Sequence, residues 1–381
     1  MANFEMSSHG QHFFWLYGFV AFRHYSLSIN CVMNMHRVLV GLLALVFYGA
    51  TIVKAQQEVG HFAPGVLGIR DYEMPAPGWY VALYSYKYST TQLNDAEGNE
   101  INSITINPGS GPGATIDLNV DVNVGVIAPT IIWVSKWKLF GASYGAYLSP
   151  SFSNTSVGAS LSIYTGSGRS ANESQFGFGD LFVQPLWLGW NKEHLDVAFG
   201  YGFYAPVGKY NTETLTLPGA GGSITAEDAD NIGYGFWTHQ LQVATAWYPW
   251  TDRRMAIAPA LTYEAHSNKR NYDLKPGQNL SFSWGISQYL PLKRDQTLLL
   301  EVGPAGYDSW QITDDTGADA VNPPTKDGVH AVGGQLGLTQ VKWNAALNFH
   351  YFYEFAAKDR FRGSSVGLNF ALNIPHKEDK K

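Results

Sequence analysis

The chain has 381 residues and a formal net charge of −6, with 45% hydrophobic, 14% aromatic and only 15% charged residues. So many aromatics with so little charge exclude an intrinsically disordered chain, and the acidic balance argues against nucleic acid as a partner. Only one stretch, near the N-terminus, approaches the roughly 20 apolar residues of a spanning helix, which excludes a polytopic helical membrane protein.

Residues 1–32 resemble nothing that follows and read as a spurious extension ahead of a start at Met33 or Met35. His36 and Arg37 then precede the apolar run from Val38 to Phe47, and Val53-Lys54-Ala55 offers a cleavage site before Gln56. That is the pattern of a secretory signal over 33–55. Cys31 is the only cysteine, so no intramolecular disulfide is possible, and no catalytic thiol or cysteine zinc site can follow it. Residues 56–77 hold Pro64, Pro75 and Pro77 and show no alternation. Fully extended, the segment would reach roughly 70 Å. It is expected either to fold into a lumen as a plug, through Arg70 and Asp71 with Arg70 meeting lumen acids, or to hang as a periplasmic tail.

From Gly78 to Pro375 the chain alternates apolar and polar residues, the mark of strands with two different faces. The clearest case runs from Ile116 to Val124, where aliphatic residues alternate with Asp117, Asn119, Asp121 and Asn123. The same pattern recurs around Leu195–Phe203, Leu280–Ile286, Trp343–Tyr353 and Val366–Ile374. Connections are short near 135–138, 191–193, 249–253, 291–295 and 340–342. They are long near 91–114, 165–175, 206–232, 267–277, 307–327 and 357–363. Five short turns and six long loops join twelve strands, the arrangement of an outer-membrane antiparallel β-barrel with short periplasmic turns and long extracellular loops. Trp133, Trp137, Trp187, Trp190, Trp247, Trp250 and Trp343 fall near the short turns, as an aromatic girdle would. Pro129, Pro150 and Pro185 interrupt strand patterns and predict kinks or bulges. The stretch 139–164 is too long for one crossing, so it either projects or bends inward. The chain ends in a charged tail, 376–381.

Alternation places Asp117, Asp121, Asp180, Gln184, Arg254, Glu264, Glu301, His350 and Glu354 on the lumen face. Acids outnumber bases, which predicts a preference for cations or neutral solutes. The same groups could instead pair across the lumen and brace a narrow barrel. Catalysis finds no support. His239 lies on the lipid face with no serine evidently paired to it, the histidines lack metal-site spacing, and the acidic clusters at 95–100 and 227–230 do not fit a calcium loop. No cofactor is implied.

Several segments carry a family resemblance. They include Gly60-His61-Phe62-Ala63-Pro64-Gly65, Ile69-Arg70-Asp71, Phe178-Gly179-Asp180-Leu181, Pro185 to Trp190, Ala205-Pro206-Val207-Gly208-Lys209-Tyr210, Asn231 to Gly235, and Arg360-Phe361-Arg362-Gly363. Together they resemble the outer-membrane family labelled "MetA-pathway of phenol degradation", from about residue 60 to the C-terminus. The resemblance implies passive transport of small hydrophobic, aromatic compounds across the bacterial outer membrane. The partners expected are outer-membrane lipid, lipopolysaccharide and the barrel-assembly machinery. A general diffusion porin and a non-transporting structural or adhesive barrel are the alternatives.

Overall fold

The computed structural model describes residues 60–374, apart from 107–113, 164–167, 217–222, 228–230 and 321–323. The extension 1–32, the signal 33–55, residues 56–59, the glycine-rich tips at 109–113 and 219–222, Asp228 and Asp230, and the tail 376–381 lie outside the described residues.

In chain order the strands are β1 (Gly78–Leu93), β2 (Ser103–Ile106), β3 (Ala114–Leu139), β4 (Ala142–Ser149), β5 (Phe152–Ile163) and β6 (Gly168–Phe178). They continue with β7 (Leu181–Asn191), β8 (Leu195–Ala205), β9 (Thr212–Thr216), β10 (Ser223–Glu227), β11 (Thr238–Trp247) and β12 (Met255–Ile257). The last are β13 (Ala260–His266), β14 (Asn279–Pro291), β15 (Leu298–Gln311), β16 (Gly328–Gln340), β17 (Ala345–Lys358) and β18 (Phe361–Ile374). Three staves are broken in two, β4 with β5, β6 with β7, and β12 with β13. β2 and the β9–β10 hairpin belong to loops. Twelve staves therefore pair antiparallel in sequence order, and β1 closes the barrel on β18, with Trp79 opposite Ile374 and Lys87 opposite Val366. Closure pairs each of the twelve staves on both sides, as a hydrocarbon surround demands, while among the described residues the β6 part of its stave pairs with β5 alone.

The walls follow the sequence pattern. In β17, Leu347, Phe349, Tyr351 and Tyr353 are exposed while Asn348, His350, Phe352 and Glu354 are buried. The exposed set forms the lipid face, and the buried set lines the lumen. Leu336 lies near the middle of this apolar band, exposed, between Val302 and Phe349. Leu336→Arg should therefore destabilise the folded barrel by about 2–4 kcal/mol, the cost of a cation at the bilayer midplane. Leu347→Arg, close to the turn end of the same face, should cost about 1 kcal/mol or less. Urea titration in lipid vesicles measures both.

Several boundaries differ from the alternation reading. The turn expected at 135–138 is strand. β3 runs on to Leu139 and turns at Phe140-Gly141, both with positive φ, as a two-residue hairpin matched to strand twist requires. Most of the loop expected at 165–175 is β6. The long loop expected from 307 begins only after Gln311, and the one expected at 357–363 is a tight turn at Asp359-Arg360. Polar residues in these places mark strands that continue beyond the apolar band, not loops. The stretch 139–164 breaks at Pro150, and its far half projects. β3 alone has 26 residues, against about 9–11 for one crossing.

Trp187 departs from the girdle. Trp137, Trp247, Trp250 and Trp343 are exposed at the turn end, but Trp187 is buried inside with 5% exposure. Pro185 cannot donate to the ladder, and the register of β7 shifts between Val183 and Leu186. One inserted residue exchanges the faces, so Gln184 and Trp187 both point inward.

Candidate functional site

Residues 60–77 run inside the wall, hydrogen-bonded to and packed against its inward-facing residues. This segment enters at the loop end and leaves at the short-turn end, where β1 begins. Its repeated glycines and prolines prevent a helix or strand, so its backbone groups seek partners on the wall. Phe62 N–H donates to Glu264 Oε1 at 2.9 Å, and Ile69 N–H to Gln335 Oε1 at 2.9 Å. Asn369 Nδ2 donates to Val66 O at 2.8 Å. Gly65 has φ +82°, and a Cβ there would fall 2.9 Å from the Phe352 ring, so both conformation and space call for glycine. Met74 packs with Trp187 in one apolar cluster, and Ile69 joins Tyr248, Tyr307 and Phe352 in another. Two spaces beside the segment, one along Ile69 to Met74 and one along Gly65 to Tyr72, are water-sized.

Two polar anchors hold the ends. At the turn end, Arg70 donates to Ser287 Oγ at 2.7 Å, to Arg254 O at 3.0 Å and to Arg253 O at 3.3 Å. Its guanidinium lies 4.2 Å from the Tyr289 ring centre, 3.4 Å from Glu301 and 3.7 Å from Glu73. Nearby, Arg253 pairs with Asp196 and stacks 3.9 Å from the centre of Tyr248, whose hydroxyl donates to Asp196 at 2.9 Å.

At the loop end, His61 Nε2 donates to Asp180 Oδ2 at 2.9 Å, and its Nδ1 lies 2.7 Å from Thr238 Oγ1. Its ring stacks on Tyr204 at 4.7 Å and meets Tyr234 and Phe236 edge-on at 4.6 and 5.1 Å. Asp180 also accepts the backbone N–H groups of Gly208 and Tyr234, each at 2.9 Å.

The candidates named from alternation therefore separate. Asp180, Gln184, Glu264, Glu301, His350 and Glu354 are all buried. Gln184 accepts from Tyr147 at 2.9 Å. Glu354 accepts from Tyr88 at 2.7 Å, Tyr307 at 3.0 Å and the Gly363 N–H at 2.9 Å. His350 packs closely against Gly367, with neither ring nitrogen hydrogen-bonded. Asp71 accepts from Gly68 N–H at 2.7 Å and from Asn369 at 3.2 Å. Asp117 and Asp121 stand exposed on the projecting half of β3, away from this group. Arg254 is also apart, half exposed and 3.4 Å from Asp252. Arg253 takes the inward place because its own φ of +55° turns the chain out of strand parity at the short turn. Alternation could not find His61, Tyr234 or Arg253, since none lies on a regular strand. Among the described residues no group of three or more His, Cys, Asp or Glu could hold a metal ion.

Residues 105–370 match the family described as "MetA-pathway of phenol degradation". The chain belongs to this family. No curated protein matches it. Among solved structures it is similar to the COG4313 outer membrane channel from Pseudomonas putida F1, with 18% identity and a TM-score of 0.50, over 83% of this chain and 100% of that one. It also aligns with a Pseudomonas aeruginosa FadL homologue (10% identity, TM-score 0.34, 77% and 89% of the two chains). A TodX mutant described as a monoaromatic hydrocarbon channel aligns too (11%, 0.35, 78% and 91%). With the closed twelve-stave wall, the family places this member in the bacterial outer membrane.

Proposed function

We propose that this family member is a passive outer-membrane channel for small hydrophobic, aromatic compounds, closed at rest by residues 60–77. The filled lumen carries this reading. A general diffusion porin needs standing water along its axis, and here the segment occupies that space between Glu264 and Trp187. The family's tie to phenol degradation supports the solute class.

The wall offers a second exit. β3 pairs with β5 as far as Ile127–Phe152 and resumes with β4 at Ile131–Leu148. Pro129 faces this gap and Pro150 lies within it, so neither can supply a backbone donor. The neighbouring stave breaks at Gly179-Asp180, held by Gly179 N–H to Ser151 O and Ser151 Oγ to Asp180 O, both 2.9 Å. A hydrophobic solute entering from the loop end would leave sideways here into lipid, with residues 60–77 undisturbed.

The test is growth of a deletion strain on limiting phenol or toluene as carbon source. Growth at least several-fold slower than the parent, restored by the intact gene, is expected. Parental growth without the gene would overturn the reading.

A further inference from the structure

His61 is an aromatic ring held in an aromatic slot, and everything that holds it comes from the wall and its loops. Tyr204 and Thr238 are directly paired at the ends of β8 and β11. Tyr234 and Phe236 come from the loop before β11, and Asp180 from the break between β6 and β7. The slot is fixed without the histidine. Asp180 is set by the Gly208 and Tyr234 N–H groups, Thr238 Oγ1 lies 2.7 Å from His266 Nδ1, and Tyr204 packs against Phe182 at 4.5 Å. Removing His61 would leave a flat gap with three aromatic walls and two polar atoms on its rim. Tyr234 is 36% exposed at the loop end, so the gap would open toward the extracellular side.

We propose that this slot is a binding site for a monocyclic aromatic carrying an O–H or N–H group, and that His61 is its resident occupant. The chemistry follows from the rim. A carboxylate can only accept, so the ligand must donate a hydrogen to Asp180, as His61 Nε2–H does. The stacked and edge-on rings select a single planar ring. The solute and His61 compete for one place, so each weakens the other's seating. The proposal rests on the reading of the barrel as an aromatic-solute channel and adds where such a solute would first be held.

The experiment uses the full chain, folded in detergent and checked by heat-modifiable migration. His61→Ala and His61→Phe variants accompany the wild type. Phenol, imidazole and toluene are titrated by calorimetry. H61A is expected to bind one equivalent of phenol and of imidazole, each at about millimolar affinity, as suits such small ligands. The wild type and H61F, whose slots are filled, should bind at least tenfold more weakly. Imidazole is the discriminating probe, because so polar a molecule gains little from an apolar void. A folded H61A that binds neither phenol nor imidazole overturns the proposal, as does binding of toluene alone, or H61F binding as well as H61A. Should H61A not fold unaided, refolding in imidazole reads the same site. Recovery of the heat-modifiable form supports the slot, and no recovery overturns it. The growth test separates the two readings. Ring binding by H61A with parental growth of the deletion strain leaves the slot standing and removes the transport reading. A growth defect with no ring binding does the reverse.

Discussion

Arg70→Ala is expected to turn a silent barrel into a conducting one. In planar bilayers the wild type should show almost no current, because residues 60–77 fill the lumen. Arg70 is nearly buried and ties the segment to Ser287, to two backbone carbonyls of the 248–254 turn, and to Glu301 and Glu73. Removing one partner of such a buried cluster costs about 3–5 kcal/mol, because the carboxylates left behind lose their cation. The cost falls on the seated state of the segment. The displaced population should therefore rise roughly a hundred- to several-thousand-fold. The lumen it uncovers carries Asp180, Asp196, Glu264, Glu301 and Glu354, with Arg253 beside Asp196 and Arg360 near Glu354, so acids outnumber bases and the current should favour cations. Single-channel recording with a salt gradient measures both. A folded R70A barrel that stays silent would show that Arg70 does not latch the segment. Anion-selective current would show that these acids do not set the field.

Asp180→Ala should be the most damaging single change at the loop end. One carboxylate accepts from the His61 ring and from two backbone N–H groups on the 206–237 loop. Hydrogen bonds to a charged group contribute about 1.5–3 kcal/mol each, and the N–H groups stranded by alanine add desolvation costs. A loss of about 3–5 kcal/mol is expected, larger than for a typical lumen substitution. Urea titration of the folded barrel reads the stability. Limited proteolysis between Ala205 and Thr238 reads the loop, which should be cut at least tenfold faster in D180A. A loss below about 1 kcal/mol with unchanged cutting would mean that neighbouring contacts hold the loop without Asp180.

Much of the wall was legible before any coordinates. A two-residue period with one apolar face is a local property of the chain, and in β17 it assigns inside and outside residue by residue from Leu347 to Glu354. Where it failed, the cause was a local interruption of that period. Pro185 shifts the parity of β7 and brings Trp187 inside, and the positive φ of Arg253 exchanges its place with Arg254. Strand ends were misplaced where polar strands continue past the membrane, since burial no longer marks them.

By itself, then, the sequence determined the class of the molecule: twelve amphipathic strands, their order and their outward faces. These follow from periodicity and composition, and any barrel built from this chain must respect them. Only the tertiary structure decided what fills the lumen and which groups meet. Residues 60–77 have no period, and their partners lie far away in the chain, 119 residues from His61 to Asp180 and 217 from Arg70 to Ser287. Such contacts depend on barrel circumference, register and the shape of the enclosed space, which appear only once the wall has closed.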